Sequence, residues 1–312
     1  MSRKATTLMI ALLGLTLGLG AAPSNAEAVQ DKAVVVKKHK QHKAPVKKHM
    51  HRAAMQYGSN LVLYSSAAMV LDQSTGAVLF EKNAGAVLPI ASITKLMTAM
   101  VALDVQPDLN ETLFIDDADV DMLKGTHSRL KVGTQLSRED MLRLALMSSE
   151  NRAASALSRH YPGGRPAFIA AMNRKAQALG LQDTSFSDPT GLTAANVSSA
   201  RDLVRMVSAA QQYPVIRQFT TTSEYEVALG GRTQTFRNTN GLVRSSSWDI
   251  GLSKTGYINE AGRCLVMQAW LNNKPTIIVL LDSLGKMTRL GDANRIKHWV
   301  ENSSLPQRQA AG

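Results

Sequence analysis

From Asn60 onward the chain carries regular patterns of apolar and polar positions. Two short β-prone runs, Ala68 to Leu71 and Ala77 to Phe80, lie on either side of Gln73-Ser74-Thr75-Gly76, which predicts a hairpin. Ile93, Leu96, Met97, Met100 and Val101 then recur at helical spacing and predict an amphipathic helix opening close to Ser92. Ser137, with Asp140 three residues later, resembles a capping box at the start of a second helix reaching about Met147. Further helical periodicity covers Asn151 to Arg159, Pro166 to Leu179, Ala200 to Ala210 and Arg289 to Val300. Strand-like runs return at Tyr225 to Leu229, Ile250 to Lys254, Cys264 to Leu271 and Thr276 to Leu281.

Two strands, a helix-rich middle, several closely linked strands and a final helix define an α+β chain. Short links between the late strands require antiparallel pairing, because parallel neighbours need long crossovers. The expected architecture is one antiparallel sheet built from both ends of the folded region, flanked by helices, with a mostly helical insert. About 250 residues are enough to bury ~70–75% of the surface exposed by the unfolded chain.

The N-terminus has another pattern. Ser2, Arg3 and Lys4 precede an apolar run of 15 residues from Leu8 to Ala22, and Ser24 and Ala26 place small residues before a cut after Ala26. Residues 1–26 therefore read as a secretory signal peptide. The run is shorter than the ~18–20 residues of a membrane span, and Gly14, Gly18 and Gly20 weaken it as a helix. Lys and His dominate the next stretch, with Lys37, Lys38, Lys40, His39 and His42 among them, so residues 27–59 read as a flexible basic arm extended by self-repulsion. The arm is expected to be a solvated spacer or to touch an anionic membrane or wall polymer weakly. The folded domain spans 60–302, and 303–312 form a disordered tail. Export implies a periplasmic protein, soluble or peripherally associated with the membrane.

Charge placement alters the partner classes. The 312 residues carry 36 Lys and Arg against 24 Asp and Glu, a formal net charge of +12. Residues 1–52 account for +8, which leaves +4 on the other 260, so the basic balance does not mark a nucleic-acid surface. A hydrophobic share of 44% excludes a disordered or collagen-like chain. The single Cys264 excludes an intramolecular disulfide framework and a Cys-based zinc cage, and within Cys264-Leu265-Val266-Met267 it is expected to be buried as a small hydrophobe. Neither GxGxxG nor a Walker sequence occurs, and no metal or cofactor is expected. The fourteen methionines are expected to fill the core.

Candidate chemistry sits in three short motifs. Ser92-Ile93-Thr94-Lys95 is an SxxK whose spacing puts serine and lysine on one helical face. Ser128 with Lys131 and Ser283 with Lys286 share that spacing, so the motif alone decides nothing. Ser149-Glu150-Asn151 is the only SxN and falls between two helices; Lys254-Thr255-Gly256 is the only KTG and ends a strand with a glycine that would let a ligand approach the backbone. Only Ser92 satisfies the order SxxK, SxN, KTG with gaps of 57 and 105 residues.

In this order the motifs resemble those of the penicillin-binding protein and serine β-lactamase superfamily. Pro89 to Ala99, Met147 to Asn151, and Asp188-Pro189-Thr190-Gly191-Leu192 look like low-molecular-mass D-alanyl-D-alanine peptidases, and Lys254-Thr255-Gly256-Tyr257 with Ala261-Gly262 continues the similarity. Ile258 stands where that group usually has threonine, which affects a local hydroxyl contact. The resemblance covers about residues 60 to 300 and is greatest to the D-alanyl-D-alanine endopeptidase branch. It implies Ser92 as nucleophile, Lys95 as base and Ser149 as the group returning a proton to the departing amine. Asn151, Lys254, Thr255 and Gly256 would bind substrate, and the backbone N–H groups of Ser92 and Tyr257 would form the oxyanion hole. Peptidoglycan stem peptides are the implied substrates and β-lactams the implied covalent inhibitors.

The residue types suit that chemistry. Serine needs a base, and lysine serves only when its pKa falls well below about 10.4. Burial lowers it, and so does a second cation, for which Lys254 is the natural candidate. Ser149 is expected to exchange hydrogen bonds with both lysines. Glu150 is expected to be solvated or ion-paired, and His127 and His160 to be surface or satisfied residues. Only 56 residues follow Gly256, too few for the further β-domain and amphipathic helix of the anchored carboxypeptidases, which favours an endopeptidase over a carboxypeptidase. A β-lactamase would need a water-holding glutamate after SxN, and Glu224, Glu226, Glu260 and Glu301 lack that setting. A non-catalytic wall-binding protein would not need the full set of catalytic side chains.

Overall fold

The first two apolar runs form strands β1 (Ser65–Asp72) and β2 (Val78–Lys82), paired antiparallel, in a computed structural model that describes residues 61–285 and 287–303. β3 (Leu88–Pro89), a 3-10 turn (Ala91–Thr94) and α1 (Lys95–Asp104) follow. The insert continues through β4 (Thr112–Phe114), a 3-10 turn (Asp117–Asp119), β5 (Gln135–Ser137), α2 (Arg138–Met147), α3 (Asn151–Arg159) and α4 (Gly164–Ala178). After β6 (Val197–Ser198) come α5 (Ala200–Ala210), α6 (Pro214–Thr221), the ribbon of β7 (Glu224–Leu229) and β8 (Arg232–Arg237), and a third 3-10 turn (Gly241–Arg244). Strands β9 (Ile250–Ile258), β10 (Gly262–Leu271) and β11 (Lys274–Ser283) lead into α7 (Thr288–Ser303).

The main sheet has the order β2-β1-β11-β10-β9 and is antiparallel throughout, so the chain's early hairpin is joined to its late meander by the β1–β11 ladder. Met69 faces Val279 in that ladder, and Val266 of β10 is opposite both Val279 and Lys254. Period-two alternation sends Ile277, Val279 and Leu281 to one side, with Met69, Val266 and Leu203 of α5, and Ile278 and Leu280 to the other, with Val70, Met267 and Ile296 of α7. Each buried aliphatic chain contributes ~1.5–3 kcal/mol relative to exposure, and both faces of the sheet are covered. The α+β reading with a mostly helical insert is the observed arrangement.

Several local expectations are corrected. The helix expected to open at Ser92 begins as a 3-10 turn, and α-helical bonding starts at Lys95. The strand expected to stop at Lys254 runs on to Ile258, so KTG lies in mid-strand. Several elements had no expectation: the short strands β3, β4, β5 and β6, the 3-10 turns at Asp117–Asp119 and Gly241–Arg244, α6, which is only 8 residues long and opens on Pro214, and β8, which buries a single side chain, Phe236. Met122 and Met287 are exposed at 89% and 66%, so not every methionine fills the core. Ser137 does cap α2, its hydroxyl accepting from the Asp140 N–H at 3.0 Å, and Cys264 is buried and unpaired with another cysteine. Among the described residues no helix is long and apolar enough to cross a membrane. The expectations for residues 1–59 and for the tail beyond Ser303 lie outside the described residues.

Candidate active site

Side chains three residues apart eclipse in a 3-10 turn, and this turn stacks Lys95 on Ser92 with Nζ 2.8 Å from Oγ. The turn is entered through Ala91 at φ +47, a left-handed conformation that alanine adopts only under constraint. Two glycines supply the constraint. A Cβ on Gly191 would meet the Ala91 carbonyl oxygen at 2.0 Å, and one on Gly256 would meet the Ile90 carbonyl oxygen at 2.8 Å. The glycine of KTG, expected to admit a ligand, thus admits the backbone that carries Ser92.

Lys95 is buried, and three groups surround its amine: Ser92 Oγ, Asn151 Oδ1 at 2.7 Å and the Thr190 carbonyl at 2.6 Å. Burial lowers its pKa to about 7, against the opposing pull of the Asp188 and Glu150 carboxylates. The Thr190 carbonyl is aimed by Asp188, whose carboxylate accepts from the Thr190 hydroxyl and from the N–H groups of Thr190, Gly191 and Thr193. Thr98 clamps the same loop by donating to the Pro189 carbonyl at 2.6 Å.

Lys254 is equally buried in β9 and donates to Ser149 Oγ and to the Thr255 carbonyl, each at 2.9 Å. Ser149 sits at φ +63 in the turn between α2 and α3. The bond expected between Ser149 and Lys95 is not formed, since the partners of the Lys95 amine are Ser92, Asn151 and Thr190. Burial pushes Lys254 well below the ordinary lysine value, followed by repulsion from Lys95 and Arg289. Lys254 was expected to be the charged neighbour that depresses Lys95. In the structure burial is the main cause for both, and Lys254 faces two cations where Lys95 faces two carboxylates.

Ser92, Ser149, Asn151 and Thr255 line a cleft of about 440 Å³ along β9, the edge strand of the sheet, with the two lysines buried behind them. Thr255 Oγ1 donates to Thr239 Oγ1 at 2.6 Å, and Asn151 Nδ2 donates to Thr126 Oγ1 at 3.1 Å. Tyr257 is half exposed beneath the Arg263 guanidinium, and its backbone follows Gly256 beside Ser92. Arg289 of α7 lines the cleft and donates to the Gly256 and Cys264 carbonyls, and Lys124, also on its lining, pairs with Glu260 at 2.5 Å. No motif or spacing marks Arg289, Lys124, Thr126 or Thr239 in advance. Thr190 lay inside a noted motif, but it acts through its carbonyl, for which residue type is silent; Asp188 two residues earlier was the available sign of a side-chain-bridged turn.

Residues expected to stand outside the chemistry have other partners. Glu150 accepts from Ser128 Oγ at 2.6 Å and faces Arg129 at 3.7 Å, which also occupies one of the competing SxxK serines. Ser283, the other, is buried against Ser65. His127 is exposed at the surface, and His160 Nδ1 meets the Ala156 carbonyl at 2.9 Å. Among the described residues no group of three His, Cys, Asp or Glu is gathered to hold a metal ion.

Comparison with known proteins bears on this arrangement. The family model for D-alanyl-D-alanine carboxypeptidase matches residues 54–285. The chain is 51% identical over 251 residues to a D-alanyl-D-alanine endopeptidase of Pseudomonas aeruginosa, covering 80% of this chain and 81% of the relative. It is 48% identical over 255 residues to one of Escherichia coli, covering 81% and 82%. Its fold superposes on a Streptomyces DD-transpeptidase with a TM-score of 0.72 at 29% identity, over 78% of this chain and 98% of that one. With the family matched across nearly all of the described sheet and insert, the chain belongs to the D-alanyl-D-alanine carboxypeptidase family and is a serine DD-peptidase.

Proposed function

We propose that the protein is a serine D-alanyl-D-alanine endopeptidase, hydrolysing D-alanyl cross-links in peptidoglycan through an acyl-enzyme on Ser92. The observation that carries the chemistry is a buried amine, its pKa lowered to about 7, 2.8 Å from a serine hydroxyl in an open cleft. The likeness to two endopeptidases carries the choice of bond.

The substrate peptide joins the free edge of β9 as an antiparallel strand, held by backbone hydrogen bonds and by the Asn151 amide. Neutral Lys95 takes the Ser92 proton as Oγ attacks the D-alanyl carbonyl carbon. The oxyanion is received by the N–H groups of Ser92 and Tyr257, close to the positive end of α1. When the intermediate collapses, the C–N bond breaks and Ser149, supported by Lys254, delivers its proton to the leaving amine; the proton that Lys95 took from Ser92 replaces it, which leaves Lys95 neutral again. Water then attacks the ester carbon as Lys95 takes its proton, and that proton passes to Ser92 Oγ as the ester bond breaks. β-Lactams enter the same pathway and acylate Ser92. Residues 1–26 direct export to the periplasm, 27–59 form a basic arm, 60–302 the catalytic domain and 303–312 a tail, supported by sequence pattern alone.

The test is incubation of purified cross-linked muropeptide dimers, with a D-alanyl-D-alanine pentapeptide in parallel, using wild type and Ser92→Ala. Monomer release that disappears in the variant is the expected result. Release of D-alanine with intact dimers would make the protein a carboxypeptidase instead.

A further inference from the structure

We propose that Asp121 and Thr126 are positioning residues that fix the amide of Asn151 and, through it, turn the lone pair of neutral Lys95 toward Ser92. The inference rests on Ser92 and Lys95 acting as nucleophile and base, and it concerns two residues outside the three motifs.

Lys95 changes its hydrogen-bonding capacity when it loses a proton. A protonated amine has three N–H donors, and its three neighbours can all accept. The neutral amine has two donors and one lone pair. The Thr190 carbonyl can only accept, so it takes one N–H. The lone pair points at Ser92 only if the other N–H goes to Asn151, and that requires the oxygen of the Asn151 amide, not its nitrogen, to face Lys95. With the amide reversed, Nδ2 would donate into the lone pair and the base would be spent.

Thr126 decides between the two orientations. Its hydroxyl donates to Asp121 Oδ2 at 2.7 Å, and a carboxylate cannot donate back. The Thr126 oxygen therefore presents lone pairs to Asn151 and accepts from Nδ2 at 3.1 Å. Reversal would set the Asn151 carbonyl oxygen against those lone pairs. Asp121 is itself fixed, since it also accepts from the N–H groups of Leu123, Lys124 and Thr126 at 2.8 to 2.9 Å. The chain of bonds runs from the Asp121 carboxylate through Thr126 and Asn151 to Lys95 and ends at Ser92 Oγ. It leaves Asn151 one N–H for the substrate. The other ionisable groups acting on Lys95 are Asp188, Glu150 and Lys254, and none of them bonds to the Asn151 amide.

The experiment measures covalent labelling of the full chain by a fluorescent penicillin, separating the acylation rate constant from the non-covalent Kd, over about pH 5 to 9. Thr126→Val keeps the shape and removes the hydroxyl; Thr126→Ser keeps the hydroxyl; Thr126→Ala replaces the valine variant should that fail to fold. Losing one orienting hydrogen bond is expected to lower the plateau rate constant about tenfold with little change in Kd. The pH midpoint is expected to move down, because the ammonium form loses an acceptor. Thr126→Ser is expected to restore both. A valine variant with wild-type plateau and midpoint overturns the proposal, as does a serine variant that fails to restore them. A midpoint moving up overturns it as well, since that is the sign of water entering a loosened site and relieving burial of Lys95. Labelling that persists in Ser92→Ala would instead remove the underlying assignment of the nucleophile.

Discussion

Gly191 lies so close to Ala91 that a Cβ on it would stand 2.0 Å from the Ala91 carbonyl oxygen and 2.9 Å from the Ser92 nitrogen. The contact joins the Asp188–Thr193 loop to the turn bearing Ser92, and one loop thereby supports both the serine and, through the Thr190 carbonyl, the lysine. Gly191 also has φ +82, as Gly76 has φ +74 with nothing within 4 Å. Gly76→Ala is expected to cost only the conformational ~1–2 kcal/mol. Gly191→Ala adds displacement of backbone and is expected to exceed ~4 kcal/mol. Urea midpoints of the two variants make the comparison, with loss of penicillin labelling expected only for Gly191→Ala; equal midpoints would show that the contact is not felt.

The pH dependence of acylation is set by Lys95. The base must be neutral, and burial places its pKa at about 7, so the protonated, inactive form dominates below that and the rate rises with pH. Acylation is expected to be half-maximal near pH 7 and ~100-fold below its plateau at pH 5. The stability sign is parallel: from pH 7 toward the ordinary lysine value the unfolded chain binds the proton that folded Lys95 has shed, so stability rises with pH. A stopped-flow acylation profile that is flat, or falls through this range, contradicts the role of Lys95.

Much of this molecule is legible in its sequence, for reasons that differ by element. Asn151–Arg159 and Ala200–Ala210 are bounded correctly because strong 3.6-residue patterns end at polar or capping residues. β1, β10 and β11 show as apolar runs because both of their faces are buried. α6 and β8 escape because a short helix and a ribbon burying one side chain have little pattern to read. At the site, residue type reveals Ser92, Lys95 and Lys254 but not the Thr190 carbonyl, since every residue has one. Nor does it reveal Thr126, whose meaning depends on the loop that faces it toward Asn151. The extent of β9 past Lys254 is hidden by Gly256, normally a strand terminator, whose place is set here by the Ile90–Ser92 backbone.

One turn of α7 beyond Arg289, Asp292 fastens the start of β1. It is fully buried and accepts from the N–H groups of Tyr64 and Ser65, from the Ser65 hydroxyl at 2.6 Å and from Arg295. Asp292→Ala removes the acceptor and leaves buried donors without one, an expected loss of ~3–5 kcal/mol. Asp292→Asn keeps part of the bonding and should lose less. Denaturation curves are expected to separate the two variants while the acylation rate constant of folded protein stays at the wild-type value. Equal stability of wild type and Asp292→Ala would show that α7 is fastened by its apolar face alone.

The acyl-enzyme formed with a penicillin is expected to persist. Its hydrolysis needs a water held by a base, and the two carboxylates that act on Lys95 are both committed elsewhere. Asp188 is saturated by the Thr190–Thr193 loop, and Glu150 is bonded to Ser128 and faces Arg129. Glu260, later in the chain, is tied at 2.5 Å to Lys124, which lines the cleft. Lys95 is then the base available for deacylation. A penicillin lacks a departing amine that diffuses away, so its own ring nitrogen stays tethered beside the ester and crowds the path of water. Mixing enzyme with excess penicillin should give a burst of one equivalent bound to Ser92, followed by slow release, with Ser92→Ala showing neither. Rapid steady turnover of the penicillin by the wild-type protein would mean that a hydrolytic water is activated after all, and would turn the proposed function toward a β-lactamase.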